Sequence, residues 1–482
     1  MKIYKYLIAA VFVFSCLTAC EDELELDPQQ SLSDQSAFAD GATAEGVLIG
    51  AYSLMQDLDV FGGMPQVVSD YMADNVNFVG TFPTLQDINN FNQLATNGST
   101  ANWFRDGYEA ITSANLVIDN LPLVDDPNLL DADRARIIAE AKFIRAITYF
   151  HMINLFAQPV QVNGGQSLGL PLVLEAFTGE VTFPSRATVE EVHQQIMADL
   201  NAALPDLNES FGANIETRGR ATQGAARALL SRLYLYRGEW QQAADLADQV
   251  ISSSLYALAP DYTFYDQLTS EDVFVVVNSD QDNGSTGSGG WDNYYEGSDQ
   301  NGRGDATFSQ NLIDAFMAEP GDLRFDLKEN GVDAQGLTSF FTTKFNDAQN
   351  DVSDSPIIRT TEMYLNRAEA LAELNGVNQT SVDLINDLRT RAGLAAYTLG
   401  DFASTQELID VILVERRKEL CFEGHRRMDL LRRGLPLRTA SSLPASAPVG
   451  NGISSPGDDK VIIPIPQNQV DLNPNLAQSP GY

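Results

Sequence analysis

The sequence predicts a mainly α-helical protein, built from tetratricopeptide-like helical pairs that stack into an α-α superhelix, beside an irregular, loop-rich half. Three observations predict this class. Apolar residues recur at helical spacing along most of the chain, glycine-centred turns separate neighbouring helices, and two long segments break the helical pattern. The predicted helices cover residues 102–120, 131–157, 188–207, 219–237, 239–253, 360–375, 380–391 and 405–423.

The segment 188–207 shows how apolar spacing and capping residues predict a helix. Val192, Ile196 and Leu200 recur every four residues, which places their side chains on one face of a helix. Thr188 can act as the N-cap, and Pro205 marks the end because proline cannot continue a helix. The same periodicity predicts a longer amphipathic helix at 131–157.

Two of the helical pairs carry the spacing of the tetratricopeptide motif. A glycine permits a tight turn between two helices, and a small residue lets them approach closely, so that pairs stack to bury their apolar faces. The first pair places the motif at Leu230, Tyr234, Gly238 and Ala243, and the second at Gly376, Ser381, Ile385 and Leu388. Helical hairpins without a repeat superhelix are the alternative interpretation.

Two irregular segments, at about 60–100 and 256–355, interrupt the helices. The first is rich in Asn, Asp, Gly, Thr and Phe, and the second holds one predicted strand at 273–277 before a run of Gly, Ser and Asn. Such long segments are typical of binding loops or insertions. Residues 280–284 resemble a calcium loop only loosely, because the third ligand and the terminal glutamate are missing. We therefore interpret them as a turn and predict no metal site, with a bound cation as the alternative.

The N-terminus has the features of a lipoprotein signal peptide. Lys2 and Lys5 precede an apolar run at 7–17 that is too short to span a bilayer, and Leu17-Thr18-Ala19-Cys20 closes it. This pattern predicts a signal peptide at 1–19, acyl chains on Cys20, an acidic lipid-anchored tether at 20–36 and a single domain at 37–482. An ordinary secretory signal, with Cys20 incidental, is the alternative.

Composition and chemistry exclude several functions. A net charge of −36 disfavours nucleic acid and anionic lipid surfaces as partners, and 44% hydrophobic residues provide a globular core. We find no phosphate loop, nucleophile elbow or zinc spacing, so neither an enzyme nor a cofactor is predicted. The charged segment 415–433 is expected to have a structural role. Its side chains should form ion pairs that lock the last helix to its neighbours, with His425 hydrogen-bonded there. Cys421, in the same segment, is expected to be a small buried hydrophobe.

Short motifs spread over the chain carry a family resemblance. The most specific are Glu415-Arg416-Arg417-Lys418-Glu419-Leu420 and Phe422-Glu423-Gly424-His425-Arg426, followed by the ending at 465–482. Further motifs lie at 103–108, 140–146, 169–173, 220–226, 364–370 and 386–393. Together they resemble the SusD/RagB family of outer-membrane nutrient-binding lipoproteins. Arg427, Met428 and Gln469 depart from the pattern.

The resemblance implies a binding protein rather than an enzyme. It implies a SusD-like fold whose irregular half carries the ligand site, anchored in the outer membrane and facing the cell exterior. The expected partners are an oligosaccharide and a SusC-like TonB-dependent transporter, over which the protein forms a lid. The alternative is an interaction subunit of a transporter for peptides or other non-glycan nutrients.

Glycan binding needs flat aromatic faces, together with amides and carboxylates for the sugar hydroxyls. Both irregular segments supply such side chains, whereas Trp103 belongs to a helix and is expected in the core. For Trp291, two interpretations stay open: stacking on a sugar, or pinning the glycine-rich loop. The expected ligand-binding residues are Asp70, Asp74, Asn75, Asn77, Phe78, Phe82, Trp291, Asp292, Asn293, Tyr294 and Tyr295.

Overall fold

The computed structural model describes residues 34–279, 281–283, 290–439 and 454–482. The predicted signal peptide, Cys20 and the first part of the tether lie outside the described residues, as do Asp280 and Gly284. Ser279 and Asp282 exchange backbone hydrogen bonds of 2.9 and 3.2 Å. A short helix at Asp34–Ala37 begins within the last residues of the predicted tether.

Helices dominate the chain, which confirms the predicted fold class. The α-helices are α1 Asp34–Ala37, α2 Gly41–Gln56, α3 Met64–Tyr71, α4 Pro83–Asn89, α5 Gly98–Asn120, α6 Asp131–Phe156, α7 Val189–Ala203, α8 Asn214–Gly219, α9 Gln223–Arg237, α10 Trp240–Ile251, α11 Trp291–Tyr295, α12 Gln310–Met317, α13 Thr360–Asn375, α14 Gln379–Arg391, α15 Thr405–Leu420, α16 Arg426–Arg432 and α17 Gln467–Leu472. Within the described ranges, none is long and apolar enough to cross a membrane.

Most predicted helix boundaries agree with the structure to within a few residues, and the differences have local causes. Thr188 caps α7 in a reciprocal capping box with Glu191, as its position suggested. The helix predicted at 405–423 ends at Leu420 instead, because Cys421 turns to an extended conformation and Phe422 has a φ of +67°. The segment 60–100, expected to be irregular, contains the two short helices α3 and α4.

The two predicted helical hairpins are built in the same way. In the first, Gly238 has a left-handed φ of +75° between α9 and α10, and the Ser231 hydroxyl donates a 2.9 Å hydrogen bond to the Ala243 carbonyl. In the second, between α13 and α14, the Ser381 hydroxyl donates an equal bond to the Ala368 carbonyl. The helix α10 packs against α13, so that the hairpins stack side by side.

Short antiparallel strand pairs tie the irregular segments to this helical frame. The strands are β1 Val76–Phe78, β2 Leu168–Pro171, β3 Arg186–Thr188, β4 Asp272–Val276, β5 Ala306–Phe308, β6 Lys328–Val332, β7 Thr338–Thr342 and β8 Ser355–Arg359. They pair as β1–β5, β2–β3, β4–β8 and β6–β7. The predicted strand at 273–277 is thus β4, shifted by one residue, and it lies buried against β8.

The charged segment 415–433 is buried and forms ion pairs, as the sequence predicted. Arg416 holds Asp429 at 2.8 Å, and Arg432 holds Glu369 at 2.5 Å, which joins α15 and α16 to α13. Cys421 is a free buried thiol, and burial raises its pKa to about 11. His425 is buried as well, but no hydrogen bond of its imidazole is seen among the described residues, so the predicted bond is not confirmed. Burial lowers its pKa to about 4, so the ring is neutral at neutral pH.

Candidate functional site

The two irregular segments meet along the strand pair β1–β5. Asn77 lies opposite Thr307 in this pair, and its side-chain amide donates a 3.4 Å hydrogen bond to the Thr307 hydroxyl. Val79 continues the pairing by donating its backbone N–H to the Asp305 carbonyl at 2.8 Å. Gly80 follows where a Cβ would lie 2.4 Å from an Asp305 carboxylate oxygen, so this close approach requires glycine. The contact joins the predicted site residue Asn77 to the second irregular segment, 230 positions further along the sequence.

The aromatic segment 291–295 forms the short helix α11, and its five side chains are buried. The Trp291 indole is 2% exposed and donates a 3.3 Å hydrogen bond to the Phe61 carbonyl. Asp292 accepts hydrogen bonds from the backbone N–H of Asp347 at 3.0 Å and from the Ser353 hydroxyl at 2.6 Å. These contacts support the interpretation that Trp291 pins the loop, because its ring offers no open face to a sugar in this structure. The same burial applies to Asn293, Tyr294 and Tyr295.

Three acidic or amide residues of the first segment also have internal partners. Buried Asp70 accepts a 3.0 Å hydrogen bond from the Tyr295 hydroxyl, and burial raises its pKa to about 7. Asp74 is held by Arg426 at 2.6 Å, and the Asn75 side-chain oxygen accepts a 2.8 Å hydrogen bond from Arg417. Asp70, Asp74 and Asn75 thus connect the first irregular segment to α11 and to the C-terminal helices.

The predicted residues that are not buried are Asp74, Asn77, Phe78 and Phe82. Phe82 is 47% exposed and the other three are half-buried, with the Asp74 carboxylate already bound by Arg426. The inner side of Phe78 packs on the buried Tyr71 ring, with centroids 4.6 Å apart. Phe82 immediately precedes α4, whose first residue is Pro83, so its position is set by a helix start rather than by a free loop.

A cation missed by the sequence analysis completes this surface. The Arg303 guanidinium lies 5.4 Å from the Phe82 ring centroid and 5.0 Å from that of Tyr294. Asp305 fixes it through a 2.7 Å ion pair. We refer to Asn77, Phe78, Phe82, Arg303 and Asp305 as the Phe82 surface. It combines an exposed aromatic face, an amide and a guanidinium fixed by a carboxylate, which are groups that can stack on a sugar ring and bond its hydroxyls.

A sequence signal for Arg303 did exist. It is the only Lys or Arg between Arg237 and Arg324, and it stands in the sequence Gly302-Arg303-Gly304-Asp305 within an otherwise acidic stretch. A single basic residue in such a long acidic and neutral stretch is a candidate for a specific contact. Its neighbour across the surface, Phe82, is more than 200 residues away, so the pairing itself required the fold.

Among the residues that the structure describes, one acidic group has the geometry to hold a cation. Oxygen atoms of Asp57, Asp59 and Asp106 lie within 4.8 Å of one another. Burial and the two neighbouring carboxylates raise the pKa of Asp59 to about 6. Arg105 already binds Asp106 at 2.5 Å, which neutralises part of the cluster. No second feature points to a metal, so we assign none to it.

Two family models match separate parts of the chain. One, described as the SusD family, matches residues 333–482, and another, described as starch-binding associating with outer membrane, matches residues 26–235. The chain belongs to the SusD/RagB family. All the motifs quoted in the sequence analysis fall within these two matches. The family is one of starch- and glycan-binding proteins associated with the outer membrane.

Individual members of the SusD/RagB family are similar over their whole length. SusD-like protein P25 of Formosa agariphila is 26% identical, with 99% of this chain and 98% of the relative covered. The starch-binding protein SusD of Bacteroides thetaiotaomicron is 25% identical, with 100% of this chain and 99% of the relative covered. A crystal structure of a SusD superfamily protein from Bacteroides thetaiotaomicron superposes with a TM-score of 0.80 at 26% identity, covering 92% of this chain and 100% of the other.

Proposed function

We propose that this protein is a surface-exposed, non-enzymatic lipoprotein that captures an oligosaccharide and delivers it to a SusC-like TonB-dependent transporter in the outer membrane. The observation that carries the proposal is family membership along the whole chain, including a relative named as a starch-binding protein that aligns from end to end. The N-terminal pattern ending at Cys20 supplies the anchor by which the folded domain would stay at the membrane.

The Phe82 surface is our candidate for the glycan contact. The exposed Phe82 ring would stack on the apolar face of a sugar, while the Asn77 amide and the Arg303 guanidinium would bond its hydroxyls. Asp305 would act indirectly, because it holds Arg303 in place. The buried members of the original set would support the surface rather than touch the ligand; they are Asp70, Asn75 and the residues of α11, Trp291–Tyr295.

A titration panel tests the proposed function. Purified mature protein would be titrated by calorimetry with soluble starch, laminarin and other oligosaccharides, and in parallel with mixed peptides of similar length. We expect saturable binding of at least one glycan with no turnover of it. A folded protein that binds no glycan, but copurifies with a transporter and peptide cargo, would exclude the glycan function in favour of the peptide alternative.

A further inference from the structure

A cavity of about 70 Å³, lined by both apolar and polar side chains, lies where α3, α6, α9 and α16 converge. It is large enough for several water-sized groups, since one water needs roughly 10–15 Å³ by this kind of measure. Its lining includes His151 from α6, Tyr236 from α9, and His425 and Arg427 at the start of α16. Tyr236, His425 and Arg427 are each more than nine-tenths buried.

These lining residues leave hydrogen-bonding groups without partners. The Nε2 atom of His151, the Nε atom of Arg427 and the Oε1 atom of Gln66 are buried and have no partner in the described part of the chain. Tyr236 and His425 line the same cavity. Unpaired polar groups are expensive in a protein interior, so several of them around one cavity indicate an occupant that pairs with them.

The charges of the side chains that line the cavity indicate what kind of ligand it binds. The guanidinium of Arg427 donates to the carbonyls of Asn154 and Val461, and among the described residues no carboxylate forms an ion pair with it. The other lining charges are already compensated. Arg232 is paired with Glu362, and Glu423 accepts from Lys344 at 2.7 Å and from Arg359 at 2.8 Å. Arg427 is therefore a buried positive charge without a counter-charge, which is a costly state.

Both histidines that line the cavity can donate a hydrogen bond in their neutral form. Burial lowers the pKa of His151 to about 3 and that of His425 to about 4. Each neutral imidazole carries one N–H donor, and the Tyr236 hydroxyl supplies another. The donors and the uncompensated guanidinium all suit a small acceptor with negative charge.

We propose that this cavity binds a small monovalent anion of halide size, together with a few waters. The anion would neutralise Arg427 and accept hydrogen bonds from Tyr236 and the histidines. It would thereby tie α3, α6, α9 and α16 together. The site is independent of the proposed glycan function, since none of its residues belongs to the Phe82 surface.

Bromide tests the site on the unmodified chain. Crystals grown in sodium bromide, with data collected at the bromine absorption edge, should show an anomalous peak in the cavity beside Arg427. Crystals grown in sodium gluconate provide the comparison, because gluconate is too large for the cavity. Water density without an anomalous peak in 0.5 M bromide would overturn the proposal.

Thermal unfolding provides a matched variant test in solution. At constant ionic strength, replacing gluconate by bromide should raise Tm by about 1–2 °C for each tenfold increase above the dissociation constant. Tyr236→Phe should at least double the bromide concentration at which this rise begins, because it weakens the site. Tyr108→Phe, which removes a hydroxyl bonded to the Pro171 carbonyl outside the cavity, should leave that concentration unchanged. A rise that begins at the same bromide concentration in all three proteins would contradict the proposal.

Discussion

At the scale of single residues, the structure depends on carboxylates that are buried yet ionised. Glu423 is compensated by Arg359 and Lys344, and Glu362 by Arg232. Burial alone would raise the pKa of each carboxyl, but the neighbouring cations outweigh it and lower both to about 2. Breaking one such pair leaves an uncompensated buried charge, so these residues stabilise the fold only as complete pairs.

The low pKa of Glu423 predicts how stability depends on pH. Because its pKa is about 2 when folded, against the ordinary value of 4.5, its stabilisation is complete above pH 4.5 and is lost as the pH falls towards 2. Urea unfolding at pH 7, 4.5 and 3 should show a falling free energy of unfolding over the acidic interval. The Glu423→Gln variant should have a lower free energy of unfolding than the unmodified chain at pH 7. That free energy should also fall less in the variant as the pH is lowered.

The matched control for this pH prediction is Glu209→Gln, at an exposed position. It should reproduce the pH dependence of the unmodified chain. Curves for Glu423→Gln that run parallel to those of the unmodified chain between pH 4.5 and 3 would show that Glu423 does not contribute through its ionisation.

At the scale of elements, glycines have opposite roles in turns and in helices. Gly238 has a φ of +75° between α9 and α10, where an L-residue is strained, although a Cβ there would meet only ordinary contacts. Gly46 lies exposed within α2, and a Cβ there would meet nothing within 4 Å. Substitution at either position therefore changes the backbone energy without a steric clash of the new Cβ.

Alanine substitution at these two glycines should have effects of opposite sign. Gly238→Ala is expected to lower the free energy of unfolding by about 1 kcal/mol, because it forces alanine into the left-handed region. Gly46→Ala is expected to raise it by roughly 0.5–1 kcal/mol, because alanine favours the helix. Chemical denaturation measures both, and a destabilised Gly46→Ala would contradict the exposed position of that residue.

The elements also show which parts of the structure could be predicted from the sequence. Helices with one apolar face and a capping residue, such as α7 and α14, were predictable because periodicity and caps are local signals. The helix α3 was missed because its eight residues are too few for a helical period to be recognised in the sequence. At the candidate site, the burial of Trp291 depends on Phe61, and the position of Arg303 depends on Phe82. Contacts between such distant segments have no local signature.

At the scale of the whole molecule, anchoring and ligand binding are expected to be separable. The proposed lipid is attached at Cys20, before the first described helix at Asp34–Ala37, whereas the Phe82 surface lies within the folded domain. Cys20→Ala should move the protein from the membrane fraction to the soluble fraction, with its glycan affinity unchanged. Fractionation followed by titration measures both properties. Loss of both together would contradict this division.

The most direct measurement of the central claim is the glycan affinity of a Phe82→Ala variant, determined by calorimetry with the best ligand of the panel. The matched control is Phe177→Ala, since Phe177 is 58% exposed but lies outside the Phe82 surface. We predict that Phe82→Ala weakens binding about tenfold or more, equivalent to roughly 1.4 kcal/mol, and that Phe177→Ala leaves it unchanged. An unchanged affinity in a folded Phe82→Ala protein would show that the glycan does not bind at this surface.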